Sequence, residues 1–251
     1  NQPINHINHE QDTDEWNTSN VTTMASMFEG CTNFNQEIGK WNTSQVKDMS
    51  YMFKNATTFN KSIDYDESAN TWNTLNVENM SGMFEGATSF SINLENWNTS
   101  KVTNMKATFK GASDFNILIM RWDTSKVTDM SDMFNGCTKF NRELYNWNTS
   151  MVTDMSNMFK GASSFDQDLN TNSQENEGTK WDTSSVSNMT SMFNGATSFN
   201  KALKDWDTSE VKDMSHMFSG AKSFNQALND WNTSKVTDMS YMFSGALEYV
   251  G

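Results

Sequence analysis

A 25-residue unit that opens on tryptophan is repeated nine times along the chain. With that tryptophan as repeat position 1, the unit reads W-N/D-T-S-x-V-x-D/N-M-S-x-M-F-x-G-A-x-x-F-N-x-x-L/I-x-x. Because so short a unit cannot bury its own apolar side chains, the copies are expected to stack and cover each other. Successive tryptophans are 25 residues apart except for gaps of 31 and 34; they are Trp16, Trp41, Trp72, Trp97, Trp122, Trp147, Trp181, Trp206 and Trp231.

The large apolar residues keep fixed places in the unit. All 17 phenylalanines fall at positions 13 or 19, and 17 of the 19 methionines fall at positions 9 or 12, with Met120 and Met151 as exceptions. Thr108 stands where the other copies have methionine. We therefore expect like-numbered side chains to form columns through one continuous solenoid of nine turns.

Spacing within the unit predicts one short helix and one or two short strands per turn. In the fifth copy the apolar residues recur mainly at intervals of three and four, as on one face of a helix: Val127, Met130, Met133, Phe134 and Cys137. Gly136 would end this helix. Positions 19 to 23, as in residues 34–38, are predicted to be a strand that pairs in parallel with the next copy. The predicted fold class is an α/β solenoid.

The nine repeats define the domain organisation. Residues 1–15 are predicted to be an N-terminal tail or cap, and residues 16–251 a single solenoid domain, which we expect to be part of a longer protein. The two long gaps insert residues 64–71 in the second copy and 170–180 in the sixth, both after position 23. Insertions at the same place in the unit are expected on the same side of the stack.

Composition and charge exclude several classes of function. The net charge of −13 argues against a nucleic-acid partner, which requires clustered Lys and Arg. No apolar run is long enough to span a membrane. The three histidines are His6, His9 and His216, and no carboxylate pair breaks the repeat pattern as an acid–base pair would. We predict no enzyme, no catalytic residues and no cofactor.

Two cysteines occupy the same repeat position. Cys31 and Cys137 stand at position 16, where the other copies have alanine, four turns apart. At about 4.8 Å per turn they are roughly 19 Å apart, too far for a disulfide. We expect two free, buried thiols.

Three further columns could bind a ligand or serve the scaffold. The tryptophans could stack against sugar rings, but we expect them in the core with each ring nitrogen bonded to backbone. Asp and Asn at positions 2 and 8, such as Asp123 with Asp129, could hold calcium or could cap turns; we predict no metal site. The asparagines at position 20 are expected to form a ladder between turns.

Copies three to five carry apolar residues at positions that are polar in most other copies. Stacking should merge them into an exposed apolar patch, which usually marks an interaction site. The insertion residues Tyr65, Asp66 and Glu67 are predicted to flank it as partner-binding residues. Two alternatives are that some of these side chains point inward, or that the surface joins two copies of this chain as a homodimer. We call the following residues the apolar patch: Ile92, Ile117, Leu118, Met120 and Tyr145.

The repeat resembles a known family. The unit WDTSKVTDMSDMFNGCTKFNRELYN, residues 122–146, resembles the repeats of roughly 26 residues in bacterial surface proteins and lipoproteins. Its F-x-G-A/C-x-x-F segment is more distantly similar to the repeats of surface leucine-rich-repeat proteins. Over residues 16–246 the resemblance implies a right-handed, leucine-rich-repeat-like coil and a secreted or cell-anchored bacterial protein with a role in adhesion or recognition. It implies no catalytic residues.

Three functions remain open from the sequence. The leading hypothesis is a non-enzymatic recognition or adhesion module, extracellular or at the cell surface, that binds a host or neighbouring-cell protein or glycan. A structural spacer of a larger surface protein is the second. Ice binding is the third, because position 3 is threonine in all nine copies. Against ice binding, the serine that follows would place the two hydroxyls on opposite faces of a strand.

Overall fold

The nine copies stack on each other in chain order. The computed structural model describes residues 16–66, 71–170 and 181–251. The predicted tail 1–15 and the segments 67–70 and 171–180 of the two insertions lie outside the described residues. Within the described residues there is no α-helix, and β-structure is limited to isolated single-residue bridges.

The prediction of a helix in each turn is wrong. Positions 9 to 19 form a run of tight turns closed by hydrogen bonds over three residues, such as Met133 N–H to the Met130 carbonyl at 3.2 Å. The backbone has a positive φ at position 11 of every copy, as at Asp132 (φ 60°), and again at position 15, as at Gly136 (φ 77°). Two left-handed residues four positions apart in each copy are incompatible with a right-handed helix there, so the chain changes direction repeatedly.

Backbone groups that a helix would pair internally bond to the next copy instead. The N–H groups of positions 9, 11, 13 and 15 donate to the carbonyls of positions 8, 10, 12 and 14 in the following copy. Between copies five and six, Asp132 N–H donates to the Ser156 carbonyl at 2.8 Å and Phe134 N–H to the Met158 carbonyl at 2.9 Å. Buried backbone groups must be paired, and here the neighbouring copy supplies the partners.

The predicted strand at positions 19 to 23 is also wrong. Residues 34–38, for example, form no strand, and parallel pairing occurs at position 8 instead. One bridging residue per copy is too little to count as a strand, so the predicted α/β solenoid with a helix and a strand in each turn is not the fold. The bridged residues are Thr23, Asp48, Asn79, Asn104, Asp129, Asp154, Asn188, Asp213 and Asp238.

The predicted columns of apolar side chains are confirmed. The Phe134 and Phe159 rings of adjacent copies stack 5.5 Å apart, and within one copy Phe134 stacks on Phe140 at 4.2 Å. The valines of position 6 and the methionines of positions 9 and 12 are fully buried in copies two to eight, where Thr108 replaces one methionine. Thr108 is buried as well, and its hydroxyl donates to the Met105 carbonyl at 2.8 Å. The handedness of the coil stays a prediction.

The two cysteines are free, as predicted, but only one is buried. Cys137 is fully enclosed in the core, and this burial raises the pKa of its thiol far above the ordinary value. Cys31 is exposed, so the prediction that it is buried is wrong. It lies in the first copy, and no earlier copy within the described residues stacks on its position.

Candidate functional site

The threonine column at position 3 is internal. From Thr18 to Thr208 each side chain is at most 5% exposed. Each of these hydroxyls donates to the position-2 carbonyl of the next copy, as Thr124 does to Asn148 at 2.9 Å. These hydroxyls tie neighbouring copies together, and the exposed threonine array on which the ice-binding hypothesis rested is absent from this column.

The tryptophan column belongs to the core, as predicted, but the prediction that every ring nitrogen is bonded to backbone is wrong for Trp41, whose buried Nε1 has no hydrogen-bond partner among the described residues. Trp97 and Trp122 stack with ring centroids 6.3 Å apart, and the Trp122 indole N–H donates to the Leu94 carbonyl at 3.0 Å. The same bond recurs at Trp147, which donates to the Ile119 carbonyl at 3.1 Å. Trp16 in the first copy is the exposed exception, at 52%. The buried indole faces therefore cannot serve as a platform for sugar rings.

The Asp and Asn side chains of positions 2 and 8 cap turns. Asp123 Oδ1 accepts the Ser125 backbone N–H at 2.9 Å, and Asp129 Oδ1 accepts the Ser131 N–H at 2.8 Å. Hydrogen bonds from the Ser209 hydroxyl and N–H likewise lower the pKa of Asp207. Among the residues that the structure describes, no group of three or more His, Cys, Asp or Glu side chains could hold a metal ion.

The asparagines of position 20 form a ladder between side chain and backbone. Asn116 Oδ1 accepts the backbone N–H of Asn141 in the next copy at 3.0 Å, and Asn141 Oδ1 accepts that of Asp166 at 3.0 Å. The predicted ladder is therefore present, although its bonds run from amide oxygen to backbone. Ser91 replaces asparagine in the third copy, where the shorter side chain makes no such bond to Asn116.

The five residues of the apolar patch are exposed to different extents. Leu118 is the most accessible, at 43%. Met120 and Tyr145 are half-buried. Ile92 and Ile117 are also half-buried and pack against the core, so the alternative of inward-pointing side chains holds in part for position 21. The outward part of the patch is centred on the fourth copy.

Both arginines of the chain lie beside the apolar patch. Arg121 follows Met120, and its Nε is 3.1 Å from Glu95 Oε1. Arg142 is half-buried, and its Nε donates to the Asn116 carbonyl at 2.9 Å. Next to Met120 and Arg121 the surface forms an open cleft that reaches Asn146 and Asn148. The patch thus has a polar rim with two arginines, a residue type enriched in protein interfaces.

The two insertions start from the same place in the repeat. Asp64, at position 24 of the second copy, accepts the amide N–H of Asn96, at position 25 of the third, at 3.0 Å. Asn170, at position 24 of the sixth copy, donates to Asp205, at position 25 of the seventh, at 2.8 Å. Each insertion is thus tied to the next copy by a carboxylate–amide pair, and both begin on the same side of the stack.

The predicted flanking residues are placed only in part. Tyr65 is half-buried and Asp66 is exposed. Asp66 pairs with Thr71 through two backbone hydrogen bonds of 3.4 and 3.3 Å, which close the base of the first insertion. Glu67 lies outside the described residues. The insertions bracket the patch in copy order, since they belong to copies two and six and the patch to copies three to five.

Comparison with known proteins identifies the family. A family model described as "Mycoplasma protein of unknown function, DUF285" matches residues 4–96, 91–176 and 169–251. The chain belongs to this family. Each matched segment contains three of the nine tryptophans, so one DUF285 match spans three turns of the stack. No curated protein and no solved structure matches the chain.

Membership of DUF285 confirms the predicted bacterial repeat family but not its finer description. The match does not support a leucine-rich-repeat relationship or a period of about 26 residues. The absence of α-helices and of strands longer than single bridges from the described residues conflicts with a leucine-rich-repeat-like coil. In the described residues of this DUF285 chain, no helix is long and apolar enough to cross a membrane.

Apolar residues at polar positions identify the patch but not Arg142, because position 21 is polar in most copies, as at Gln167. The signal was available, because arginine occurs only twice in the chain and both times next to the patch, at Arg121 and Arg142.

Proposed function

We propose that this chain is a non-enzymatic recognition module of a bacterial cell-surface or secreted protein that binds a protein or glycan through the apolar patch. The observation that carries the proposal is a local departure from the repeat. Position 22 is polar or charged in most copies, as at Glu37 and Asp168, whereas Leu118 of the fourth copy is 43% exposed. Exposed apolar clusters with a polar rim are typical of interaction sites.

The repeated polar columns support this assignment by elimination. The threonines of position 3 and the asparagines of position 20 use their side chains to join neighbouring copies. The Asp and Asn side chains of positions 2 and 8 are engaged in capping turns within a copy. A ligand site built from those columns would compete with the scaffold. Recognition is therefore assigned to the residues that differ between copies.

The test compares two leucines of equal exposure at different repeat positions. Leu118 and Leu75 are both 43% exposed, and Leu75 stands at position 4 of the third copy and is not part of the patch. Wild type, Leu118→Ser and Leu75→Ser would be measured by surface plasmon resonance against panels of host extracellular proteins and of glycans. We expect Leu118→Ser to weaken binding about tenfold, the effect of losing about 1.4 kcal/mol of buried apolar contact, and Leu75→Ser to leave it unchanged.

Two outcomes would contradict the proposal. If wild type binds neither panel, the structural-spacer hypothesis is favoured. If Leu118→Ser binds as wild type does, the patch is not the binding surface. Analytical ultracentrifugation of the same variants distinguishes self-association from the binding of another molecule. A homodimer through the patch would dissociate in Leu118→Ser with no partner present. Ile117 is unsuitable for this test because it packs against the core.

A further inference from the structure

We infer that the partner of the apolar patch is a protein segment that presents a carboxylate beside an aliphatic side chain, and that Arg142 binds that carboxylate. This inference rests on the proposed function and deepens it. It starts from position 21, where polar side chains form bonds to the preceding copy.

Where position 21 holds glutamine or arginine, the side chain donates a hydrogen bond to the preceding copy. Gln226 Nε2 donates to the Asn200 carbonyl at 3.1 Å and to its Oδ1 at 2.9 Å. Arg142 performs the same task with Nε, which donates to the Asn116 carbonyl at 2.9 Å. A glutamine amide is used up by these bonds, whereas an arginine held by Nε keeps both terminal amino groups. Those groups form a fork suited to a carboxylate.

The other basic residues at position 21 have a carboxylate from the preceding copy. Lys61 Nζ lies 2.8 Å from Glu37, at position 22 of the copy before it. Lys201 Nζ lies 3.2 Å from Asp166, at position 20 of the copy before it. These are the two places from which the stack neutralises a charge at position 21.

For Arg142 both of those places are neutral. Position 22 of the preceding copy is Leu118 and position 20 is Asn116. The described part of the chain places no carboxylate within salt-bridge distance of Arg142, although the chain carries a net charge of −13. The exposed leucine of the patch thus stands where Glu37 stands for Lys61. Charge complementarity favours a partner that supplies this carboxylate.

The aliphatic surroundings favour a protein segment over an acidic sugar. Leu118, Met120 and Ile117 offer an aliphatic surface that complements side chains such as leucine or valine. Sugar rings pack best on exposed aromatic faces, and Tyr145 is the single aromatic residue of the patch. An aspartate, a glutamate or a C-terminal carboxylate next to an apolar side chain fits both parts of the site.

The experiment uses a phage-displayed library of random 12-residue peptides, selected on the immobilised chain with counter-selection on Leu118→Ser. Selected sequences are expected to combine Asp or Glu with aliphatic residues. A selected peptide would be synthesised with a free and with an amidated C-terminus, and with each acid replaced by its amide. Fluorescence anisotropy then identifies whether a side chain or the C-terminus supplies the carboxylate.

Three variants test the role of Arg142. Arg142→Gln keeps the scaffold hydrogen bond, since glutamine occupies this position in other copies, and is expected to weaken peptide binding about tenfold or more. Leu118→Glu recreates the Glu37–Lys61 pair inside the chain and should abolish binding while the fold remains. Lys201→Gln, at the same repeat position outside the patch, is the matched control and should bind as wild type does. Thermal melts followed by circular dichroism confirm that each variant is folded.

The outcomes separate this inference from the proposed function. If Leu118→Ser loses binding and Arg142→Gln retains it, the patch is a binding surface but the inference is wrong. If selection yields peptides without acidic groups, or if an array of uronic-acid oligosaccharides binds and no peptide does, the assignment to a carboxylate-bearing protein segment is overturned. If the variants change only the sedimentation of the free chain, the occupant is a second copy and the inference fails.

Discussion

At the residue scale, Gly82 and Tyr51 show how one copy adapts to the next. Both stand at position 11, in adjacent copies, and both have a positive φ, of 59° and 56°. The Tyr51 ring lies across the backbone of Gly82, so a Cβ atom at Gly82 would be 2.4 Å from two ring carbons. Lys54 in turn lies over the Tyr51 ring, with Nζ 5.0 Å from its centroid. Glycine at position 82 makes room for this arrangement.

We predict that Gly82→Ala lowers the free energy of unfolding by more than the left-handed backbone alone costs, which is about 1–2 kcal/mol. The excess comes from displacing the Tyr51 ring. In a Tyr51→Ser background the excess should vanish, because the colliding ring is gone. Urea denaturation of the four proteins of this double-mutant cycle measures the coupling between residues 82 and 51. Equal effects of Gly82→Ala in both backgrounds would contradict the predicted coupling.

Gly136→Ala serves as a control for backbone strain. Its φ is 77°, and an added Cβ atom would be 3.5 Å from the Gly111 Cα, an ordinary contact. This substitution should cost only the left-handed backbone term.

At the element scale, the run of turns at positions 9 to 19 could not be predicted from apolar spacing. Val127, Met130, Met133 and Phe134 have the intervals of a helix face, and the same intervals arise when each tight turn returns a side chain to the core. The period alone determines which apolar residues face inward and align in columns. These columns and the buried tryptophans were therefore predicted correctly. The left-handed residues at position 11 carry no common signature, since this position holds residues as different as Tyr51, Gly82 and Asp132.

We predict that Thr124→Val destabilises the chain by about 1–2 kcal/mol, although valine matches the volume of threonine. The buried hydroxyl of Thr124 donates to the Asn148 carbonyl at 2.9 Å, and valine leaves that carbonyl without this donor. Thr128→Val in the same copy is the control, because Thr128 is exposed and its hydroxyl bond is longer, at 3.3 Å. Equal midpoints for the two variants in urea would show that the buried position-3 bond stabilises the chain no more than the exposed Thr128 bond does.

At the scale of the whole molecule, each copy contacts mainly its two neighbours, so the stability of the stack depends on where a contact is lost. Phe134 is fully buried and stacks on rings of the copies before and after it. Phe243, in the ninth copy at the same repeat position, is only partly buried. The two phenylalanines are chemically equivalent but unequally enclosed.

We predict that Phe134→Ala lowers the free energy of unfolding by about 3–5 kcal/mol, whereas Phe243→Ala has a smaller effect. Truncation in the middle removes stacking on both sides, and truncation in the ninth copy removes it on one side within the described residues. Hydrogen exchange followed by mass spectrometry would show lost protection around the fifth copy for Phe134→Ala and only in the ninth for Phe243→Ala. A matching loss in both variants would contradict nearest-neighbour stability.

The candidate site could be predicted from the sequence only where it departs from the period. Leu118, Met120 and Tyr145 were found because they break polar columns. The half-buried state of Ile92 and Ile117 could not be predicted, because the burial of position 21 depends on the turn conformation. Arg142 was missed because its role depends on which residues the preceding copy places beside it.

The carboxylate–amide pairs at the bases of the insertions also disfavour stacking of the copies in the wrong order. Copies as alike as the fifth and the ninth could replace each other in a stack, and a folding chain could loop out one whole copy while keeping its apolar columns aligned. Position 25 is asparagine only at Asn96 and Asn146, so Asp64 has few possible amide partners there, and Asn170 with Asp205 forms a pair of reversed polarity. Because the two pairs differ, a chain whose copies stack in the wrong order leaves these charged groups without their partners. The correct order of turns therefore has the lowest free energy.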